Sequence, residues 1–552
     1  MAATFGNIPR LVRTVRHLRP KQIVAQLRLR LPWDTPPEGA WPGRSSPSAS
    51  WTPAPEKPAG WLEGEKFRFL NLEDDLTSAG GWFGAKNGYL WYYNLNYFEW
   101  INAEGVADAE GWMLRWIEEN PPGESRGWDP YPVSLRIVNW IRYILEHKSI
   151  SDERIFRALA YHARWLKTRL EVHLLANHYL MNGVALLFAG AFFRGEEANS
   201  WICSGKKIVC GEIPEQILPD GGHFERSPMY QLLILEELLG LLNLRKCFPE
   251  RVPPDVDTAV RSGVERMFAW SRVMGDGNKA FPLFNDAAHG VAPEFSALEA
   301  YARRLGLKPG EAIMRQVSRL LPDSGFARLE HGSMVLFADV GGPGPSYQPG
   351  HCHAGTLGFE CWWNGNPVLV DAGTGTYESK PERWTQRSTV AHNTLAVNGR
   401  DTSEVWASFR VGRRANVHGV RLSVAEEGAA ELVAKQDGYR KMRLAGLHER
   451  SWRLTHGVLR VKDSLRLRRK SEIAIRFQLA PGGVVSRAGN FEWELCFPFG
   501  KIGMTVSPEF VWEADRYLCS REFGLFEESE LLVGRATRSG LVECQVCLNW
   551  VG

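Results

Sequence analysis

The sequence contains no apolar run long enough to cross a bilayer. Its longest, Tyr179 to Phe193, is broken by Asn182 and falls short of the roughly 20 residues a spanning helix needs. Excess charge is missing too: 66 basic against 63 acidic residues leave +3, which argues against the basic field of a nucleic-acid binder. The nine cysteines are scattered and odd in number, a poor disulfide framework. Cys544 and Cys547 form a C-x-x-C inside the alternating, strand-like pattern from Val542 to Trp550, with no partner pair, so buried thiols are expected there. The lack of an H-E-x-x-H argues against a zinc protease.

Residues 1 to 30 hold seven Arg or Lys and no acid, without an apolar core followed by a small-residue cleavage site. A cytoplasmic location is therefore expected, with the periplasm or cell envelope as the alternative. Leu11, Val12, Val15 and Leu18 share a helical face that Pro20 interrupts. Two readings stand: a first helix docked on the main domain, or a basic amphipathic helix on an anionic membrane surface.

What is present fits a large globular protein. A chain of 552 residues, 44% apolar and 23% charged, suggests two to four domains. Twenty-two tryptophans exceed the usual share, and the excess mildly favours a carbohydrate ligand. Residues 32 to 60 carry eight prolines and read as an irregular connector. From 62 to 322 the pattern is predominantly helical, with long segments such as Ser134–His147 and Ser227–Lys246. Short connectors imply antiparallel helical hairpins, stacked or closed into a ring. From 323 to 552 short alternating runs take over, and His456-Gly457 signals a hairpin. Helices followed by strands mean an α+β multidomain chain, its second half a large antiparallel sandwich.

Three segments concentrate polar residues beyond what packing requires. Asn177 and His178 sit in an otherwise apolar helix, where they must find hydrogen-bond partners or face a cavity. Asp220 to Tyr230 joins a glycine pair to His223, Glu225 and Arg226 just before an apolar helix. It reads as a functional loop or as a helix entry with Ser227 as N-cap. The third comprises His351-Cys352-His353, Asp371 and His392-Asn393. On a strand, H-x-H sends both imidazoles to one face. His353, Asp371 and His392 make a two-nitrogen, one-oxygen set suited to zinc or a similar divalent ion.

Taken in order, these motifs resemble the heparinase II/III family of polysaccharide lyases. The likeness rests on Trp128-Asp129-Pro130-Tyr131-Pro132-Val133-Ser134-Leu135-Arg136 with Asn139-Trp140, on Ala176-Asn177-His178, and on the Asp220-to-Tyr230 loop. Gly350-His351-Cys352-His353, Leu369-Val370-Asp371-Ala372-Gly373 and Ala391-His392-Asn393-Thr394 complete it. The resemblance implies an incomplete (α/α) toroid followed by an antiparallel β-sandwich, with the active cleft between them. The expected organisation is a basic helix and connector over 1–61, the toroid over 62–322 and the sandwich over 323–552.

It further implies a carbon–oxygen lyase acting on an acidic, uronate-containing polysaccharide by β-elimination. That reaction needs the uronate carboxylate neutralised, a base for the C5 proton and an acid for the departing O4. Asn177, His178 and Arg136 are the expected neutralisers; His223 and Glu225, with Arg136, are expected substrate contacts. Tyr230 matches the family's catalytic tyrosine, as acid or as both base and acid. A phenol of pKa ~10 serves as base only if neighbouring positive charge lowers it. His351 is expected as base or neutraliser from the sandwich side, and His353, Asp371 and His392 match a structural zinc site of some relatives. Many relatives carry Asp two positions after the second histidine; here that residue is Gly355, so the role of that carboxylate is lost or moved. With the expected lack of an export signal, this looks more like the branch that makes or trims a cell's own exopolysaccharide. Two other readings stay open: a glycoside hydrolase using Asp220 and Glu225, and a non-catalytic glycan-binding or assembly protein.

Overall fold

The computed structural model describes residues 8–550 apart from 32–34, 38, 78–79, 85, 276–279 and 311–317. Residues 1–7 of the basic segment and 32–34 and 38 of the connector thus lie outside the described residues. Two short helices, α1 (Ile8–Val15) and α2 (Pro20–Arg28), precede an extended connector. Next comes a feature the helical reading missed, a three-stranded antiparallel sheet of Trp61–Glu63, Lys66–Phe69 and Leu72–Asp75. Its signal was two-residue alternation around a turn at Gly64: Phe67 is buried while Lys66 and Arg68 face outward.

Among the described residues nine helices then build the toroid: α3 (Tyr89–Tyr97), α4 (Ala109–Glu119), α5 (Pro130–His147), α6 (Glu153–Thr168), α7 (Ala176–Phe192), α8 (Glu196–Gln216), α9 (Pro228–Cys247), α10 (Pro254–Met274) and α11 (Phe295–Arg304). Prolines at the first position start α5, α9 and α10, where a missing N–H costs nothing. The central helix α7 packs on α5, α6, α8 and α9. It lies close enough to α8 that a Cβ on Gly183 would sit 2.6 Å from Ile208. The tryptophans are mostly core: Trp91, Trp100, Trp116, Trp140 and Trp201 are fully buried. Most of them thus serve the cores of both halves, while Trp384 is 52% exposed.

The sandwich begins at strand Arg319–Leu321. A five-stranded meander continues through Phe326–His331, Met334–Asp339, Phe359–Trp363 and Asn366–Leu369. It faces a ten-stranded sheet organised on two long antiparallel strands, Val458–Gln478 and Glu527–Asn549. Phe359 and Cys361 of one sheet meet Leu459, Ile473 and Phe477 of the other in a shared core. The hairpin at His456-Gly457 forms, with Thr455 opposite Val458. Cys544 is buried and both C-x-x-C thiols are free.

Arg226 fastens the toroid to the sandwich. From the loop before α9 it donates to Ser324 O (2.6 Å), Gly325 O (3.1 Å) and Asp339 Oδ1 (2.5 Å). This clamp presses the Asp220–Tyr230 loop against the sandwich segment that carries the histidines.

Candidate active site

The first polar segment enters the site through unusual backbone. Leu175 and Ala176 both have positive φ, +61° and +54°, a costly conformation for side chains with a Cβ and one that clusters at functional sites. Ala176 O accepts from Gln216 Nε2 at 2.9 Å, which helps hold it. Asn177 then meets Glu225: its backbone N–H donates to Oε1, and its Nδ2 lies 2.9 Å from both carboxylate oxygens. His178 points the other way, its Nδ1 bonded to Glu171 Oε1 at 2.8 Å and its ring over Tyr131 with centroids 4.3 Å apart. Burial would lower the His178 pKa, but the Glu171 carboxylate outweighs it and raises it, favouring the imidazolium. Asn182, the residue that interrupts the apolar run, donates to Glu171 Oε2 (2.9 Å) and accepts from the Glu171 N–H (2.8 Å). Glu171 is a partner of His178 that the sequence reading missed, and the polar interruption four residues beyond His178 was its signal.

Ser227 caps α9: its Oγ accepts from Tyr230 N at 3.3 Å and donates to Asp286 O at 2.7 Å. The helix-entry reading of that loop holds, and the cap fixes Tyr230 at the junction. The Tyr230 hydroxyl lies 3.3 Å from that of Tyr377, a sandwich residue. Its ring lies against the imidazole of His351, centroids 4.1 Å apart. Burial, then Tyr377 and Tyr131, push the Tyr230 pKa well above the usual phenol value. The expected lowering by neighbouring positive charge is therefore reversed, and Tyr230 is set to hold its proton.

His351 and His353 lie in a loop between two strands, so the strand geometry expected for H-x-H does not apply. Hydrogen bonds aim both rings at one group instead. Asp286, in the loop between α10 and α11, contacts His351 Nδ1 through Oδ2 (2.9 Å) and His353 Nε2 through Oδ1 (2.8 Å). Arg383, fully buried like Asp286, ion-pairs with the same carboxylate. Burial alone would raise the Asp286 pKa, but Arg383 and the two histidines hold it well below the carboxylate range. His351 Nε2 stands 3.3 Å from Glu225 Oε2, which closes a chain from Asn177 through Glu225 and His351 to Asp286. Asp286, Arg383 and Tyr377 were not legible in the motifs. Phe409, 42% exposed and 6.1 Å from the His351 ring, adds an aromatic face.

Other expectations need correction. Arg136 is fully buried in the toroid, over the Trp116 ring (3.7 Å) and donating to Asn96 O and Gly127 O. It supports the wall and does not reach a ligand. His223 and Glu225 are 2% and 1% exposed. Burial lowers the His223 pKa to about 4, and its Nε2 pairs with Gln216 Oε1 (3.1 Å), so it backs the site from within. Glu225 would be raised by burial, yet His351, His223 and the Asn177 hydrogen bonds keep it low and charged. Asp220 spends its oxygens on Gly222 N and on Ser324 N and Oγ, tying the loop together. It forms no pair with Glu225 across an open cleft.

The third expected set comes together. Single ligand atoms of His353, Asp371 and His392, all buried, lie within 4.8 Å of one another. His392 Nδ1 bonds Asp371 Oδ2 at 2.6 Å. His353 Nδ1 and His392 Nε2 are buried without a hydrogen-bond partner among the described residues. Two orphaned imidazole nitrogens beside a carboxylate fit a divalent metal. Gly355 borders this cluster, and a Cβ there would press on the His392 ring at 3.0 Å. The carboxylate that orients the histidine pair comes from Asp286.

A cavity of about 110 Å³ opens beside Tyr230, lined by Tyr97, Tyr131, Tyr230 and Glu237 of the toroid and Tyr377 and Phe523 of the sandwich. The site thus lies where the two halves meet.

Residues 90–303 match the family model described as Heparinase II/III N-terminus, and residues 314–506 the one described as Heparinase II/III-like, C-terminal. A heparin-sulfate lyase of Bacteroides stercoris is 24% identical over 433 residues, 71% of this chain and 60% of that protein. One from Pedobacter heparinus is 24% identical over 354 residues, 53% of this chain and 48% of its own. The chain thus spans about half to three-fifths of the length of these two relatives. Among solved structures, heparinase III superposes with a TM-score of 0.68 at 16% identity, covering 85% of this chain and 79% of that one. That likeness speaks for the fold.

Proposed function

The chain belongs to the heparinase II/III family, and on that premise we propose that it is a polysaccharide lyase cleaving a uronate-containing acidic polysaccharide, such as an exopolysaccharide, by β-elimination. The observation that carries this reading is the meeting of Tyr230 and His351 across the junction, with Asn177 and His178 beside them. A uronate carboxylate meets the His178 imidazolium that Glu171 favours, and the Asn177 amide that Glu225 orients. These groups stabilise the charge that builds on the carboxylate as the C5–H bond breaks. Asp286 accepts from His351 Nδ1–H, which leaves Nε2 to take the C5 proton. The imidazolium so formed gains a second carboxylate partner in Glu225. As the C5–H electrons form the C4=C5 double bond, the C4–O4 bond breaks. Tyr230, a phenol that burial keeps protonated, supplies the proton to O4.

His353, Asp371 and His392 would hold zinc, whose part is to tie the histidine loop to the sandwich. No catalytic step passes through it. The test is incubation of the full chain with a panel of unsulfated and sulfated uronate polymers, read by ultraviolet absorption of the unsaturated end. New reducing ends without that absorption would replace the lyase with a hydrolase. Binding without either product would leave a glycan-binding protein.

A further inference from the structure

The N-terminal helices are attached to the body the wrong way round for a core-packing amphipathic pair. Their polar sides make the contacts. Arg13 donates to both oxygens of Glu404 (2.7 and 2.6 Å), and Thr14 Oγ1 accepts from Trp406 Nε1 at 3.1 Å. Arg19 lies 3.8 Å over the Tyr347 ring and ion-pairs with Glu215. The one buried residue of α2 is Gln22, whose amide faces the carbonyls of His173, Leu174 and Tyr347; α1 buries none.

The apolar sides point to solvent. Ile8, Leu11, Val12 and Val15 of α1 follow the i, i+3, i+4, i+7 stripe. Ile23, Val24 and Leu27 of α2, with Leu29 and Leu31 just beyond, continue the exposed apolar surface; all nine are 39% to 65% exposed. These 24 residues supply nine of the 22 large apolar side chains exposed among the described residues, a concentration that scatter does not give. Arg16, Lys21 and Arg30 stand exposed among them, and residues 1–31 hold seven cations and no acid.

We infer that residues 8–31 form an attachment face for an anionic lipid surface. The apolar side chains enter the acyl boundary while the arginines and lysine meet the headgroups, the arrangement of interfacial amphipathic helices. A protein partner would have to match the exposed charges of Arg16, Lys21 and Arg30 beside an aliphatic stripe, whereas an anionic bilayer supplies both complements at once. The same helices abut the segments leading into Asn177 (His173, Leu174) and His351 (Tyr347), so attachment keeps the cleft near the membrane. The inference does not depend on the lyase reading.

Cosedimentation of the full chain with vesicles tests it. Binding to phosphatidylcholine vesicles containing phosphatidylglycerol is expected to exceed binding to pure phosphatidylcholine by at least about tenfold and to weaken with salt. Val12→Asp with Val24→Asp and Leu27→Asp abolishes it, and Arg16→Glu with Arg30→Glu weakens it about tenfold. Both variants keep the wild-type melting temperature, because the altered side chains are exposed. The inference falls if the wild type ignores both vesicles or binds them equally. It also falls if light scattering shows a dimer that the Asp variant splits while vesicle binding is absent.

Discussion

Tyr230 and His351 lie ring against ring, centroids 4.1 Å apart and planes tilted by 34°, although one starts a toroid helix and the other sits in a sandwich loop. Neither half holds the pair alone. The Arg226 clamp and the bond from Ser227 Oγ to Asp286 O are what bring the rings together. The geometry of the pair is therefore a property of the junction, and on the proposed function substitutions that loosen it should cost activity before they unfold either half.

Tyr230→Phe is the direct test of the acid. It removes one oxygen whose partner is Tyr377 at 3.3 Å, a weak contact, so the melting temperature should scarcely change. Turnover should fall by about 10² to 10⁴, the usual contribution of a positioned proton donor. Retention of most activity in a single-turnover assay would remove Tyr230 from the chemistry.

His178 gives a pH signature. Glu171 raises its pKa, so its charged form is present below that value and is lost as pH rises through it. If the imidazolium neutralises the uronate, activity falls along that alkaline limb. Glu171→Gln keeps a hydrogen-bonding group but removes the charge, so the limb should move to lower pH. A profile unchanged by the substitution would assign His178 a structural part.

Much of this site was legible in the chain, and the exceptions share a cause. Asn177 stood out as a polar group interrupting an apolar helix, whereas Tyr230, His351 and the three candidate ligands stood out through a charged glycine loop, the H-x-H spacing and the resemblance to the family. Asp286, Arg383 and Tyr377 did not, since each lies in an irregular segment or short helix whose sequence carries no period. Their roles arise only when loops from both halves converge. Arg136 shows the opposite failure: it sits within a recognisable motif, yet its position on α5 turns it into the aromatic core, where it serves packing. Long apolar segments joined by short connectors made the helical half legible as helical hairpins, and the resemblance to the family supplied their closure into a toroid. The small sheet at 61–75 escaped because strands of three or four residues scarcely establish an alternation.

Acid stability should depend on the sandwich interior. Asp463 is fully buried between Arg450 (2.8 Å) and His448 (2.6 Å). Burial opposes its ionisation, but Arg450 and the His448 hydrogen bond win and depress its pKa to about 2. A depressed carboxyl stabilises the fold fully above its unfolded pKa of about 3.9 and loses that stability as pH falls through about 2. Removing the charge with Asp463→Asn should cost about 3 kcal/mol at neutral pH, as for other broken buried pairs. The gap from wild type should narrow between pH 4 and 2 in denaturant melts; a gap constant over that range would contradict the pairing.

The two histidines on Asp286 should separate by what their other nitrogens face. His353 offers a buried, unpartnered Nδ1 to the cluster with Asp371 and His392, whereas His351 turns its Nε2 toward Glu225 and its ring onto Tyr230. Metal binding to the first cluster is coupled to folding of the sandwich. His353→Ala should thus release metal and lower the melting temperature. His351→Ala should keep metal and fold but lose turnover. Elemental analysis beside a melting curve for each variant decides the matter, and chelation of the wild type should reproduce the His353→Ala melt. If the purified wild type carries no metal, or if both alanine variants behave alike, the cluster is a hydrogen-bonded histidine network in which Asp286 and Asp371 serve only to orient the rings.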